Sequence, residues 1–440
     1  MEKVRLRRIL VLALPIIGGM VSQNVLNLVD TAMVGSLGNS ALAAVGLGSF
    51  STFMCQAMIL GISVGVQATA ARRKGEGRDH ETAGPLNTAI LLVICTGLVL
   101  SAILYFLVPR FYPFLNNDPE VIKAGVPYLR IRILAIVFVG MNFSFRGYWN
   151  AVDLSRLYMS TLLVMHASNI FLNYVLIFGH FGAPALGVTG AGIGTSVSTV
   201  IGTAIYFFLG FRYARQNGFL HARPSMKQIK DLVKLSLPNG IQQLFFSAGF
   251  TAMYWIIGKV GTLELAAANV LINVMLVCIL PGIGLGLSAA TLVGQALGRR
   301  DPADAMRWAW DVVKVGIVIM GTLGIPMWLI PDQVLSIFIH DPQTLDVARL
   351  PMRLVGLTIA AEAVGLVLMN ALLGAGDSKR VMLVSIGSQW GLFLPLAYLF
   401  GPVLGFGLLT IWILQSGYRA FQAVIFTVVW IRGKWVDIKL

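Results

Sequence analysis

The side chains of this sequence that could do chemistry are isolated acids, amides and hydroxyls set in apolar surroundings. Asp30 stands in QNVLNLVDTAMVG, with Gln23 and Asn27 seven and three residues before it, so all three share one face of a helix. His166, Asn169 and Asn173 form a second polar stripe, spaced three and four apart, and Ala191, Thr195 and Ser198 share a third face. Asn269 and Asn273 lie four apart, and Glu362 sits in IAAEAVGLVLMNALLG with Asn370 two turns further on. Oxygen-rich sets beside a carboxylate suit coordination of a sodium ion or relay of a proton. Asn, Thr and small residues also serve as packing contacts between helices. For His166 the two accounts stand level, and Asp30 tips the balance toward a cavity lining. No catalytic triad, metal-ligand cluster or Walker motif is present, and Gly282, Gly284 and Gly286 belong to an apolar run rather than a phosphate loop. The expectation is therefore a protein that is not an enzyme, has no cofactor, and uses H+ or Na+ as a coupling ion.

The elements that position these residues follow from composition. Of 440 residues, 57% are hydrophobic and 12% charged, against roughly 25% charged in an average soluble domain. The mean hydropathy is +0.80. So few charges cannot cover so much apolar surface in water, so the lipid bilayer is the expected surrounding. Cys55, Cys95 and Cys278 lie in apolar runs, which argues against a disulfide framework or a zinc site. The formal charge of +14 sits in short connections between apolar runs, where it sets membrane orientation rather than nucleic-acid binding. About twelve stretches are long enough to span: 9–37, 42–68, 87–108, 125–150, 157–179, 187–211, 232–258, 266–294, 308–330, 349–374, 380–402 and 406–431. The runs are continuous rather than alternating, so each is a helix and not a barrel strand.

Basic connections alternate with weakly charged ones along the chain. Lys3, Arg5, Arg7 and Arg8 open it, Arg72, Arg73, Lys74 and Arg78 follow the second span, and Arg299, Arg300 and Arg307 follow the eighth. The cation-rich loops fall on one side, which places both termini in the cytoplasm of a multi-pass protein of the cell (inner) membrane. The run after Arg8 continues through Pro15 to Gly35 without a small-residue cleavage site, so it is expected to be retained as the first span. A carboxylate at Asp30 lies well inside that span, where a charge costs roughly 2.5–3.5 kcal/mol on insertion scales. It must therefore meet a cavity or a partner.

The chain also repeats itself. LALPIIGG at Leu12 resembles LSLPNGIQ at Leu235, and Pro15/Pro238, Gly35/Gly258, Gly38/Gly261 and Ala43/Ala266 are each 223 residues apart. This divides it into an N-lobe (1–211), a basic cytoplasmic linker (212–231) and a C-lobe (232–440), six spans in each lobe, as a parallel repeat. Met226, Ile229, Leu232 and Val233 form one face of a short stretch that suits an interfacial helix. Pro15 and Pro238 interrupt the hydrogen-bond ladder early in the first and seventh spans and are candidate gating points. Duplicated bundles with polar residues at mid-membrane point to an ion-coupled secondary transporter; a channel would show a filter or charged ring, and ATP-driven pumping would need a partner subunit.

With these residues in view, the sequence resembles the multidrug and toxic compound extrusion (MATE) family. The resemblance rests on LPIIGGMVSQNVLNLVDTAMVGSLG, on VGQALGRRDPADAM after Leu292, and on the paired elements FRGYWNAVD and LLGAGDSKR. It implies an all-α membrane protein of about twelve helices in two pseudo-symmetric six-helix bundles (the MATE/MOP fold). It also implies alternating access and export of small amphipathic or cationic drugs against entry of Na+ or H+. Asp30 matches the first-helix aspartate and Asn169 the asparagine of the DinF-like branch, which is favoured on that ground. Ala191 and Thr195 fall where a carbonyl and a hydroxyl join that branch's N-lobe cation site, so Na+ could be held by Asp30, Asn169, Asn173, Ala191 and Thr195. Asn173 stands where the motif often has a second aspartate, a departure that leaves fewer titratable groups. Glu362 matches the tenth-helix acid of the NorM-like branch, while Ser247 stands where that branch has a glutamate. Gln23, Asn27, His166, Ser198, Asn269, Asn273 and Glu362 are expected to line the substrate cavity. The protein is expected to act as a monomer. The alternative is a flippase for lipid-linked oligosaccharides or peptidoglycan precursors, which the scarcity of basic residues inside the spans disfavours.

Overall fold

The structure, a computed structural model, describes every residue except Met1, Ala222 and Lys439. Among the described residues the chain is helical throughout, without strands. The elements in order are α1 (Lys3–Gly35), α2 (Asn39–Gly75), α3 (Gly84–Phe111), α4 (Pro119–Leu134), α5 (Ile136–Ala151), α6 (Ser155–Phe178), α7 (Gly187–Leu209) and α8 (Met226–Val260). Then come α9 (Thr262–Gly298), α10 (Pro302–Leu329), α11 (Pro331–Ser336), α12 (Pro342–Ala375), α13 (Ser378–Ile386), α14 (Leu394–Tyr398) and α15 (Gly407–Ile431). Nine of the described helical stretches are long and apolar enough to cross a membrane, and the bent pair α4 and α5 makes a tenth. α8 and α15 have spanning length but dilute their hydropathy with Gln242 and Gln243, and with Gln415, Arg419 and Gln422. With them the expected twelve are accounted for.

The repeat reappears in the element boundaries. α2 and α9 are both 37 residues long. The starts of α2 and α9, their ends, and the starts of α6 and α13 are each separated by 223 residues.

Three segments differ from the sequence expectation. The span over 125–150 is bent by 47° at Ala135. The carbonyls near the bend find donors outside their own helix: Ser101 Oγ donates to Ile133 O at 2.9 Å and Ser196 Oγ to Ile131 O at 3.3 Å. Such substitution makes a break in a spanning helix tolerable. The stretch from Met226 is no separate interfacial helix; it forms the first turns of α8. The span over 380–402 is not one regular helix, because π-helical turns at Gly387–Phe393 and Leu399–Val403 flank α14. Pro395 and Pro402 deny their turns a backbone donor, which such widened turns accommodate.

The chain divides into two compact units. One comprises Gly18–Lys74 and Arg78–Gly240; the other comprises the residues up to Ile17, Gly75–Gly77 and Ile241 onward. The division cuts α1 two residues beyond Pro15 and α8 two residues beyond Pro238. The first unit has an aromatic centre in which Phe145 stacks on Tyr206 at 5.3 Å and also meets Trp149 and Phe219. In the second unit α12 packs against α9, α10 and α15 around Met320, Ala363 and Trp412. Close helix approach in each relies on glycine: a Cβ on Gly147 would lie 2.3 Å from the Ser63 carbonyl, and one on Gly374 would lie 2.3 Å from that of Ala290.

Candidate functional site

The site is built where α1, α6 and α7 of the first unit meet. Asp30 is half-buried, and among the described residues it accepts one side-chain hydrogen bond, from Asn173 Nδ2 at 2.9 Å, while the Arg132 guanidinium on α4 acts on it from beyond ion-pair distance. Asn173 is fully buried, and its Nδ2 also donates to Asn169 Oδ1 at 3.0 Å. Asn169, itself buried, donates to Ser198 Oγ at 3.4 Å, and Ser198 donates to the Thr195 carbonyl at 2.9 Å. A chain of polar groups thus runs from the carboxylate on α1 through two amides on α6 to α7. The carboxylate fixes the amide orientation, since a flipped Asn173 would turn its oxygen toward another oxygen. In the observed orientation Asn173 Oδ1 is buried without a partner. It lies against Gly194, where an added Cβ would come within 2.2 Å.

A second cluster lies on the same face of α1, nearer its start. His166 Nε2 meets Gln23 Oε1 at 3.1 Å, His166 Nδ1 meets Ser22 Oγ at 3.0 Å, and Gln23 Nε2 donates to Asn27 Oδ1 at 3.2 Å. Gln23 and Asn27 are exposed. The two stripes expected on α1 and α6 therefore do face each other, in register. Ala191 stands apart from this contact set: its carbonyl accepts from Thr195 Oγ1 at 2.9 Å within α7.

The remaining candidates belong to the second unit. Asn273 Nδ2 donates to Asn269 Oδ1 at 3.0 Å on α9. Glu362 on α12 has Oε1 3.4 Å from Arg419 Nε on α15. Pro15 and Pro238 lie inside continuous helices.

Sequence reasoning missed two residues of consequence. Ser22 carries no sequence signal of its own, since a serine in a span more often bonds its own helix backbone, as its Oγ also does here to Gly19 O at 3.0 Å. Arg419, in LQSGYRAFQ, is a charge inside the last span, and that alone could have singled it out.

No cluster of three or more His, Cys, Asp or Glu side chains is placed to hold a metal ion among the described residues. A hard monovalent cation asks instead for neutral oxygens around one carboxylate. The set of Asp30, Asn169 and Asn173, with an orphaned amide oxygen at Asn173, fits that chemistry.

Duplicated helical units of this topology, with a carboxylate and amides inside the spans, define a membrane transporter rather than an enzyme. The chain belongs to the MatE family, which matches it twice, over residues 15–175 and 238–399. The two matches start at the two repeat prolines. Among its relatives is a protein of Thermotoga maritima named a probable multidrug resistance protein NorM, 27% identical over 98% of this chain and 93% of the relative. A protein of Brucella suis with the same name is 27% identical over 95% of this chain and 91% of its own length. The fold is that of a solved multidrug resistance MATE family transporter of the MOP superfamily in an outward-facing conformation. That structure has a TM-score of 0.88 and 19% identity, covering 98% of this chain and 96% of that one. A MOP superfamily transporter from Pyrococcus furiosus gives a TM-score of 0.87 at 20% identity, with the same coverage.

Proposed function

We propose that this protein is a multidrug efflux antiporter that exports amphipathic, cationic compounds by alternating access in exchange for inward H+ or Na+, with Asp30 as the coupling carboxylate. The observation that carries this reading is the pairing of a half-buried Asp30 with one neutral donor, the Asn173 amide, while Arg132 on α4 acts on it only through space and forms no ion pair with it. A carboxylate inside a span without a fixed partner of opposite charge is suited to an exchangeable one. The multidrug resistance names of its relatives support the choice of cargo.

In this scheme the empty site is held by the Asn173 amide. A cation arriving at Asp30 displaces that donor, and rotation of the amide brings the orphaned Oδ1 to the cation, with Asn169 and Thr195 supplying further oxygens. Gln23, Asn27, His166 and Ser198 offer hydrogen bonds to the cargo beside it. Coupling requires that cation and cargo favour different conformations, because equal affinity for both shifts nothing. Pro15 and Pro238 are the positions at which α1 and α8 bend during the exchange. The protein works as a monomer in the cell (inner) membrane with both termini cytoplasmic.

The test is dye efflux from proteoliposomes with sodium and pH gradients imposed separately, alongside lipid flipping on the same preparation. Efflux driven by either gradient is expected. Lipid flipping without gradient-driven efflux would overturn the assignment in favour of a flippase.

A further inference from the structure

The two acids deep in the spans, Asp30 and Glu362, are compensated in different ways. Asp30 bonds a neutral amide and feels Arg132 only from beyond ion-pair distance, whereas Glu362 is in direct contact with a guanidinium on the neighbouring helix, with Oε1 3.4 Å from Arg419 Nε. Both side chains are largely buried, with 12% and 14% of their surface exposed. The contact is an ion pair without a hydrogen bond, and both Glu362 Oε1 and Arg419 Nε are buried without one. Gln415 Oε1 and Trp412 Nε1 are likewise buried and unpartnered.

These groups border a cavity of about 50 Å³ whose lining also includes Thr358 and Ser416. That volume has room for about three waters at roughly 15 Å³ each, and the mixture of orphaned donors and acceptors gives them partners. Arg419 is also held from its other sides, with its guanidinium 5.2 Å from the Tyr418 ring and 5.7 Å from that of Phe246. A guanidinium does not lose its proton in a protein, so its charge stays beside Glu362 at any working pH.

We propose that Arg419 is the built-in counter-cation of the second unit: it takes the place at Glu362 that an exchangeable cation would need, and so leaves Asp30 as the cation-responsive acid of the transporter. A second cation brought to Glu362 would stand beside the guanidinium and be repelled by it, while the pair together is neutral and hydrated by the cavity. The identification of Asp30 rests on the proposed function above; the silence of Glu362 rests on Arg419 alone.

A carbodiimide such as dicyclohexylcarbodiimide modifies carboxyl groups in apolar sites, and peptide mass spectrometry reads Asp30 and Glu362 separately in one sample of the purified full chain. In the wild-type protein Glu362 is expected to stay unmodified, with or without sodium. In Arg419→Gln its modification should rise at least tenfold, and in Arg419→Lys, which keeps the charge, it should stay low. Sodium-sensitive modification of Glu362 in the wild-type protein would overturn the proposal, and so would an Arg419→Gln protein whose Glu362 is as inert as before. The wild-type arm, through any sodium-sensitive modification of Glu362, can still overturn the proposal if Arg419→Gln fails to fold. Failure of Asp30 to react would count against the proposed function and not against the role of Arg419.

Discussion

Gly194→Ala is the sharpest local perturbation of the amide chain, because it strikes the orphaned Asn173 Oδ1 while leaving the carboxylate of Asp30 itself untouched. The new Cβ would lie 2.2 Å from Asn173 Oδ1 and 3.2 Å from the Asn173 backbone nitrogen. The side chain cannot swing away freely, since its Nδ2 is tied to Asp30 at 2.9 Å and to Asn169 at 3.0 Å. Relief requires a shift close to 1 Å, which takes the bond to Asp30 out of range. A hydrogen bond to a charged group is worth about 1.5–3 kcal/mol, and the gain of helix propensity from Gly to Ala returns about 1 kcal/mol. The net loss of stability, about 0.5–2 kcal/mol, leaves the protein folded. Because an arriving cation must displace that same bond to Asp30, its loss favours the cation-bound state, and a roughly tenfold to hundredfold fall is expected in the half-saturating concentration of the driving cation. The assay is gradient-driven dye efflux titrated with that cation, with Gly46→Ala as control because nothing lies within 4 Å of its added Cβ. A folded Gly194→Ala protein with an unchanged half-saturating concentration would refute the reasoning.

Other expectations concern the scaffold. Gly374→Ala places a Cβ 2.3 Å from the Ala290 carbonyl, a backbone group that cannot turn aside, so about 1–3 kcal/mol or more is lost and thermal unfolding in detergent should fall well below that of Gly46→Ala. Arg5 holds Asp304 at 2.7 Å and Asp311 at 2.6 Å and lies 3.7 Å over the Trp308 ring. Arg5→Ala should therefore cost about 2–3 kcal/mol, less than for a fully buried pair, and Arg5→Lys should rescue it only in part because an ammonium lacks the fork that spans both acids. Asp341 caps α12 by accepting from the Thr344 amide at 2.8 Å and its hydroxyl at 2.6 Å, bonds that hold its carboxyl below the usual range. Its contribution is present above the unfolded pKa of about 4 and disappears as pH falls through the lower folded value. Asp341→Ala should flatten that acid limb of the stability profile.

How much of this was legible in the sequence differed by feature. The spans were legible because hydrocarbon thickness translates directly into run length, and the repeat because its prolines and glycines keep a spacing of 223. The bend at Ala135 was not, since no proline marks it and its stabilising hydroxyls, Ser101 and Ser196, come from distant segments. Met226 to Lys234 reads as an amphipathic surface helix in isolation, but continuous hydrogen bonding carries it into α8. At the site, helical periodicity exposed the stripes on α1 and α6. Which amide meets Asp30 depends on the register of two helices 143 residues apart, which periodicity cannot supply. Arg419 was visible as an intramembrane charge, but its pairing with Glu362 is a matter of packing between α12 and α15.

The central claim is most directly tested in proteoliposomes by comparing gradient-driven dye efflux of the wild-type protein with that of Asp30→Asn, which keeps the side-chain shape and removes the charge. The account predicts that efflux collapses in the variant while its insertion and thermal unfolding stay near wild type. Full gradient-driven efflux by a properly inserted Asp30→Asn protein would contradict it.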